Sequence, residues 1–438
     1  MKGLIFTYLL TYGGSAASLF KPFYGLLIYI CFSIIRPESL WFWAVPPGNY
    51  SRIIAISLLI GWAVNGFGNW RLGRARAVIG FLIAFWVWVI ISSLHAEQTD
   101  ASLNWVESFT KIVLPCLVGV SLIDSVAKLK QLAWVIALSH AYVAYDLNQS
   151  YYSGFNRVWE DGFGGMDNNC VGITMVAATG LTFFLGFNAP RWWQKGIAFA
   201  GVFLMVNCVF FSFSRGGMLG LIITGGISFL LIPKKPRHYL IFALAVVLAF
   251  RLAGTEVVKR FGSTFADEKQ RDASAQSRLD LWKTCVEIMG KEPILGIGPR
   301  HFSLTAHLYG YKRGKEAHTL WLTVGAETGV VGLFFLVSFY GLVMLRLWPF
   351  TREAYPVADP WFHENARMVI ASITGFAVSA QFVSIVHLEA PYYIALLGAG
   401  ALKLTSVPIA AYIPSASNPI SAARVAGLPV RPATGFHC

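Results

Sequence analysis

Nearly the whole chain is built of apolar runs about as long as a bilayer crossing, parted by short polar joints. In lipid, only a helix or a closed barrel satisfies its own backbone hydrogen bonds. Barrel strands alternate apolar and polar over about ten residues, whereas these runs are continuous. The expected fold class is therefore an all-α polytopic membrane protein. Composition agrees, because only 13% of the 438 residues are charged, about half the share of a soluble protein. The runs fall near 3–15, 24–36, 52–67, 77–95, 107–123, 130–147, 170–188, 195–213, 217–232, 237–252, 318–348, 366–388 and 390–404. The first two are short enough to form a hairpin or one broken span, so about 12 transmembrane helices are expected.

Orientation follows from the joints. Arg71, Arg74 and Arg76 sit in one, Lys128 and Lys130 in another, then Arg191 with Lys195, Lys234 with Lys235 and Arg237, and Arg346 with Arg352. The alternate joints, "HAEQTDASLNWVES" and "YYSGFNRVWEDGFGGMDNN", are acidic or mixed. Excess Lys and Arg mark cytoplasmic loops, so the second set faces the far side. The net charge of +13 is then a topology signal and not a nucleic-acid footprint. Segment 253–317 is the sizeable hydrophilic region and falls on the far side too. It is too long for a passive connector, and its stretch "AQSRLDLWKTCVEIMG" repeats Leu279, Trp282, Val286 and Met289 at helical spacing, ended by Gly290 and Pro293. The expected organisation is a bundle over 1–252, a loop subdomain with amphipathic helices over 253–317, further membrane helices over 318–404, and a disordered Pro/Ala/Ser-rich cytoplasmic tail over 405–438.

The six cysteines are scattered and form no CxxC or CxxH spacing, so neither a disulfide framework nor a metal site is expected. Met1-Lys2 leads into an apolar run with no A-x-A-like site behind it, so no cleaved signal is expected.

One charge interrupts "VFFSFSRGGMLGLIITGG". A charge at the bilayer centre costs about 2.5–3.5 kcal/mol on insertion scales. The joint pattern moves Arg215 out of that position, to the outer end of the run 195–213, where Gly216 and Gly217 permit the chain to turn back. A snorkelling arginine at a helix end is the plain alternative. Further polar groups gather on the same side: Arg278 in "SRLDLW", Arg300 and His301 in "ILGIGPRHF", and His318 where the loop re-enters the membrane in "EAHTLWLTVGAETGVVG".

In this order and spacing, "SFSRGG", "SRLDLW", "GIGPRHF" and "HTLWLTVGAETGVVG" resemble the O-antigen ligase and O-antigen polymerase superfamily of bacterial envelope glycosyltransferases. Trp282 follows Arg278 by four residues, and Glu327, Gly329 and Gly332 complete the last element. The N-terminal stretch "FKPFYGLLIYICFSIIRPESLWFW" looks like the ligase-type branch often called O-glycosylation ligases. One departure stands out: Thr319 follows His318 where the family usually has Asn. The resemblance implies transfer of a glycan from undecaprenyl pyrophosphate to a hydroxyl of the lipid A–core oligosaccharide, on the periplasmic side of the inner membrane. It implies an inverting, metal-independent reaction with no cofactor, and the outward joints hold no DxD pair or His/Asp cluster for Mg²⁺.

The residue types suit that chemistry. The leaving pyrophosphate gains negative charge, which guanidinium groups meet through bidentate, always-charged contacts. Arg215 and Arg278 are the candidate clamp. A histidine titrates in the range needed for an attacking hydroxyl, which makes His318 the candidate general base or acceptor-orienting group. The plain alternative for His318 is a helix-capping interfacial histidine. Asp167 and Asn168 in "GGMDNN" either cap a helix or hydrogen-bond a sugar. Arg300, His301, Lys312 and Arg313 are candidate contacts for acceptor phosphates, or else parts of solvated turns. Glu327, nine residues beyond His318, lies too far along a regular helix to orient it and is expected to pack or hydrogen-bond inside the bundle.

Three readings compete: the ligase, an O-antigen polymerase or protein O-oligosaccharyltransferase using the same donor, and a transporter of lipid-linked glycan. Transporters show internal repeats and charges at the midplane. This chain shows no repeat, and its charges gather at one face.

Overall fold

The computed structural model describes residues 1–244, 246–247, 251 and 273–406. Among the described residues the chain is helical, and its sole strand-like feature is an isolated bridge between Phe163 and Met166. The chain opens with α1 (Lys2–Phe20), which includes one π-helical segment, Leu9–Gly13, and turns at Lys21 into α2 (Pro22–Ile35). These two pack together as the hairpin that the short first runs allowed. Next come α3 (Tyr50–Val64), α4 (Arg76–His95), α5 (Thr99–Leu122), α6 (Val126–Tyr152), α7 (Asn168–Phe187), α8 (Trp192–Phe211) and α9 (Arg215–Leu231). The remaining helices are α10 (Ala273–Lys291), α11 (His301–Thr305), α12 (Leu320–Leu347), α13 (Trp361–Ser379) and α14 (Glu389–Leu404). The first part of the expected loop, 253–272, and the tail from 407 lie outside the described residues.

Among the described residues, seven stretches are long and apolar enough to cross a membrane: Lys2–Phe20, Pro22–Leu40, Gly73–His95, Thr99–Leu122, Asn168–Phe187, Trp192–Phe211 and Leu320–Thr351. Tyr50–Val64 and Arg215–Leu231 are apolar but shorter. The expected dozen is thus not confirmed on length and apolarity, and part of the expected run 237–252 lies outside the described residues. Other helices carry polar residues inside the packing. α6 carries buried His140 and Asn148, α13 carries buried Asn365 and Arg367, and α14 ends on buried Lys403. A helix surrounded by protein can keep such groups when they find partners. Lys403 Nζ donates to the carbonyls of Asn69 (2.7 Å), Val120 (2.7 Å) and Ser121 (3.2 Å), so it caps the end of α5. Arg367 pairs with Glu364 (3.1 Å) and Glu353 (3.3 Å).

α7 is the central helix, with 83% of its apolar window buried, and it packs on α6, α8, α9 and α13. α9 and α13 approach closely because small groups face each other, Gly220 against Ser379 and Gly375 against Thr224. That contact fixes the segment following α13, which returns below at the site. Arg36, in the left-handed region (φ 47°), ends α2. Its guanidinium grips both oxygens of Glu389 (2.9 and 3.0 Å) and donates to the Gly164 carbonyl. The pair thereby joins α2, the start of α14 and the turn that delivers Asp167.

Candidate active site

The turn holding Arg215 is built by its serines. Ser212 ends α8 and accepts from Ser214 N (3.2 Å), and Ser214 caps α9 by accepting from Gly217 N (3.1 Å). Both are buried, while Phe213 between them adopts φ 53°, an uncommon conformation for a bulky residue. Arg215 is the first residue of α9 and is half-buried. Asn168 Nδ2 donates to Ser212 O (2.8 Å), so Asn168 braces the Arg215 turn against the start of α7. Gly216 lies against Phe382, where an added Cβ would stand 2.7 Å from the Phe382 side chain.

Phe382 also meets the loop. Its ring is 6.3 Å from that of Trp282 on α10, and the Trp282 indole donates to Ala317 O (3.1 Å), next to His318. Arg278 lies one turn before Trp282, so α10 carries it toward both the Arg215 turn and His318. The buried face of α10 is Leu281, Cys285 and Ile288, packed with Phe302, Ala317 and Ala326. This corrects the expected face: Val286 is 55% exposed. Apolar residues occupy two overlapping stripes of this helix, and packing on α12 selects between them. Replacing Trp282 by Phe removes the bond to Ala317, and we expect a loss of about 0.5–1.5 kcal/mol in stability. A thermal melt in detergent checks it, and a melt equal to wild type would show that this bond does not hold the loop.

α12 is broken inside its apolar stretch at Gly329 (φ 72°, ψ 174°), and the loop docks into the break. Ile297 N donates to Ala326 O (3.1 Å), Gly298 N to Glu327 O (2.9 Å) and Val330 N to Pro293 O (2.8 Å). Glu327 is buried and accepts from Phe302 N (3.1 Å) at the start of α11, the bundle-internal role expected for it. Ser92 and Trp88 of α4 donate to Leu295 O (2.7 Å) and Thr328 O (2.8 Å). His301 is buried, accepting from Gln98 N at Nε2 (2.9 Å) and lying 3.2 Å from Ser102 Oγ at Nδ1. It therefore serves as a brace to the α4–α5 corner. Arg300 beside it is exposed in the left-handed region (φ 66°).

His318 (φ 52°) lines a cavity of ≈ 370 Å³ with Asp167, Cys170, Lys315, Glu316 and Ser384. Asp167 does two things: Oδ1 caps α7 by accepting from Cys170 N (2.8 Å), and the residue borders the cavity. Ser384 follows α13, and its hydroxyl is buried with no hydrogen-bond partner among the described residues. Lys312 and Arg313 are exposed on the neighbouring turn and lie outside the lining, as do Arg300, His301 and Asn168. Burial, then Arg278 and Lys315, hold the His318 pKa below its usual range, with Asp167 acting the other way. The imidazole is therefore neutral at neutral pH. Glu316 keeps an open face, yet desolvation by the cavity wall and then the Asp167 carboxylate push its pKa up. Sequence reasoning assigned no role to Glu316, Cys170 or Ser384. Glu316 had a local signal, two residues before His318, and Ser384 had none.

Residues 200–337 match a family model described as O-antigen ligase. Residues 1–147 match one described as a family of unknown function (DUF5935). No curated protein matches the chain. The first match spans the Arg215 turn, α10, the docked loop and the His318 segment, so the elements that converge here are those of a recognised domain. Over residues 200–337 the chain thus carries a domain that matches the O-antigen ligase family.

Proposed function

We propose that the protein is an O-antigen ligase of the bacterial inner membrane. It moves a glycan from undecaprenyl pyrophosphate to a hydroxyl of the lipid A–core oligosaccharide at the periplasmic face, forming lipopolysaccharide. The observation that carries this reading is that the helix of Arg278 is tied both to the cavity segment and to the Arg215 turn, although neither arginine lines the cavity itself. His318 lines it, and Trp282 ties the Arg278 helix to the residue before His318. Phe382 links that helix to the Arg215 turn.

In the proposed reaction the acceptor oxygen bonds to the anomeric carbon as the bond to pyrophosphate breaks, with inversion. The bonding pair leaves on the pyrophosphate oxygen, and Arg215 with Arg278 meet the growing charge. Neutral His318 hydrogen-bonds the attacking hydroxyl and aims it. Asp167, Lys315 and Ser384 supply polar contacts for the sugars.

Expression in a ligase-null strain with an intact O-antigen pathway tests the reading. O-antigen-bearing lipopolysaccharide is expected on a gel. Longer lipid-linked chains without transfer to core would instead mark a polymerase, and glycosylated protein would mark an oligosaccharyltransferase.

A further inference from the structure

The cavity holds more proton-transfer chemistry than a lone histidine. Glu316 and His318 stand two residues apart on a segment that also lines it with Gly314 and Lys315, while Ala317 between them turns into the core. Their electrical surroundings differ in sign. His318 faces the cations Arg278, from α10, and Lys315, with Asp167, from the start of α7, as the opposing charge. Protonating it places a third positive charge in that group. Glu316 faces the Asp167 carboxylate, which lines the same cavity. Protonating it relieves repulsion. Within one cavity the surroundings thus make the imidazole a poorer proton acceptor than usual and the carboxylate a better one.

We propose that Glu316 is the general base of glycan transfer, taking the proton of the acceptor hydroxyl while His318, on the same cavity wall, orients that hydroxyl. This rests on the transferase reading above. As the acceptor oxygen bonds to the anomeric carbon, its O–H bond breaks and the proton passes to a Glu316 carboxylate oxygen. The carbon–oxygen bond to pyrophosphate breaks, and its electron pair stays on the departing phosphate oxygen. Glu316 then returns its proton to solvent or to the diphosphate. The raised pKa strengthens the carboxylate as a base, because a general base works best with a pKa near the working pH.

The test uses the full chain purified in detergent, with a synthetic undecaprenyl-pyrophosphate glycan as donor and purified lipid A–core as acceptor, followed over pH 4.5–8. Wild type is expected to show an acidic limb, with rate rising as Glu316 loses its proton. Glu316→Gln should lower kcat about 100-fold, remove that limb and leave the donor KM within twofold, since Arg215 and Arg278 are untouched. Glu316→Asp should keep a limb at reduced rate, and His318→Gln should lose rate while keeping the limb. An intact limb in Glu316→Gln, or its loss in His318→Gln alone, overturns the proposal. If Glu316→Gln does not fold, a Glu316→Asp variant with wild-type rate and an unmoved limb overturns it equally. Absence of transfer by wild type would overturn the ligase reading itself, a separate outcome.

Discussion

Arg215→Ala is expected to lower glycan transfer by about 10²–10³-fold, the usual loss when one preorganised stabiliser of developing charge is removed. The helix itself gives little reason for an arginine there. Arg215 is the first residue of α9, where the helix dipole disfavours a cation by about 0.3–1 kcal/mol. The cap comes from Ser214, whose hydroxyl accepts from Gly217 N, and Ala leaves that bond intact. Arg215→Lys keeps the charge but loses the planar fork that grips two phosphate oxygens, so an intermediate rate is expected. The measurement is turnover of lipid-linked donor by purified protein, beside the thermal melt of each variant. Turnover of Arg215→Ala within tenfold of wild type would remove Arg215 from the pyrophosphate clamp.

Gly329→Ala should be the most destabilising single methyl in the α12 region. Its φ of 72° and ψ of 174° lie in a region essentially reserved for glycine, at a cost of about 1–3 kcal/mol for other residues. Steric overlap adds to this, because a Cβ there would stand 1.9 Å from Ile294 O and 2.7 Å from Pro293 O, both backbone atoms. Relief requires the loop to leave the break in α12, which sacrifices the Val330–Pro293 bond and displaces the residues leading to α11. We expect a lower melting temperature in detergent, faster proteolysis between α10 and α12, and loss of transfer. Gly225→Ala is the control, since nothing lies within 4 Å of its added Cβ and helical Gly→Ala is mildly stabilising. Equal melts for the two variants would contradict the docking account.

Much of the site was legible as an ordered string of short motifs, though the work of each residue was legible only in part. The glycines after Arg215 read as the bend, but the chain reverses through Ser212–Ser214, with Phe213 in the left-handed region, and Gly216 and Gly217 lie in the first turn of α9. Glu327 read as a bundle-internal polar group, and it receives Phe302 N. His301, beside an exposed arginine in the sequence, read as a substrate contact, yet it is buried against Gln98 and Ser102. Nothing local distinguishes these outcomes, because the α4–α5 corner that covers His301 is about two hundred positions away in sequence. The α10 helix makes the same point within one element: its existence follows from periodicity, while its buried face followed only from packing on α12.

The sequence by itself determined the all-helical, membrane-spanning character of the chain, and it offered two arginines and one histidine as candidates for a phosphate-leaving reaction. These depend on hydrophobic runs, turn chemistry and ionisation, which are properties of neighbouring residues. The tertiary structure decided that Asp167, Glu316, His318 and Ser384 share one cavity, that α12 breaks to receive the loop, and that Phe382 joins Trp282 to the Arg215 turn. Those juxtapositions are set by close packing between helices distant in the chain, such as α9 on α13 through Gly220 and Gly375. Local patterning carries no record of that register.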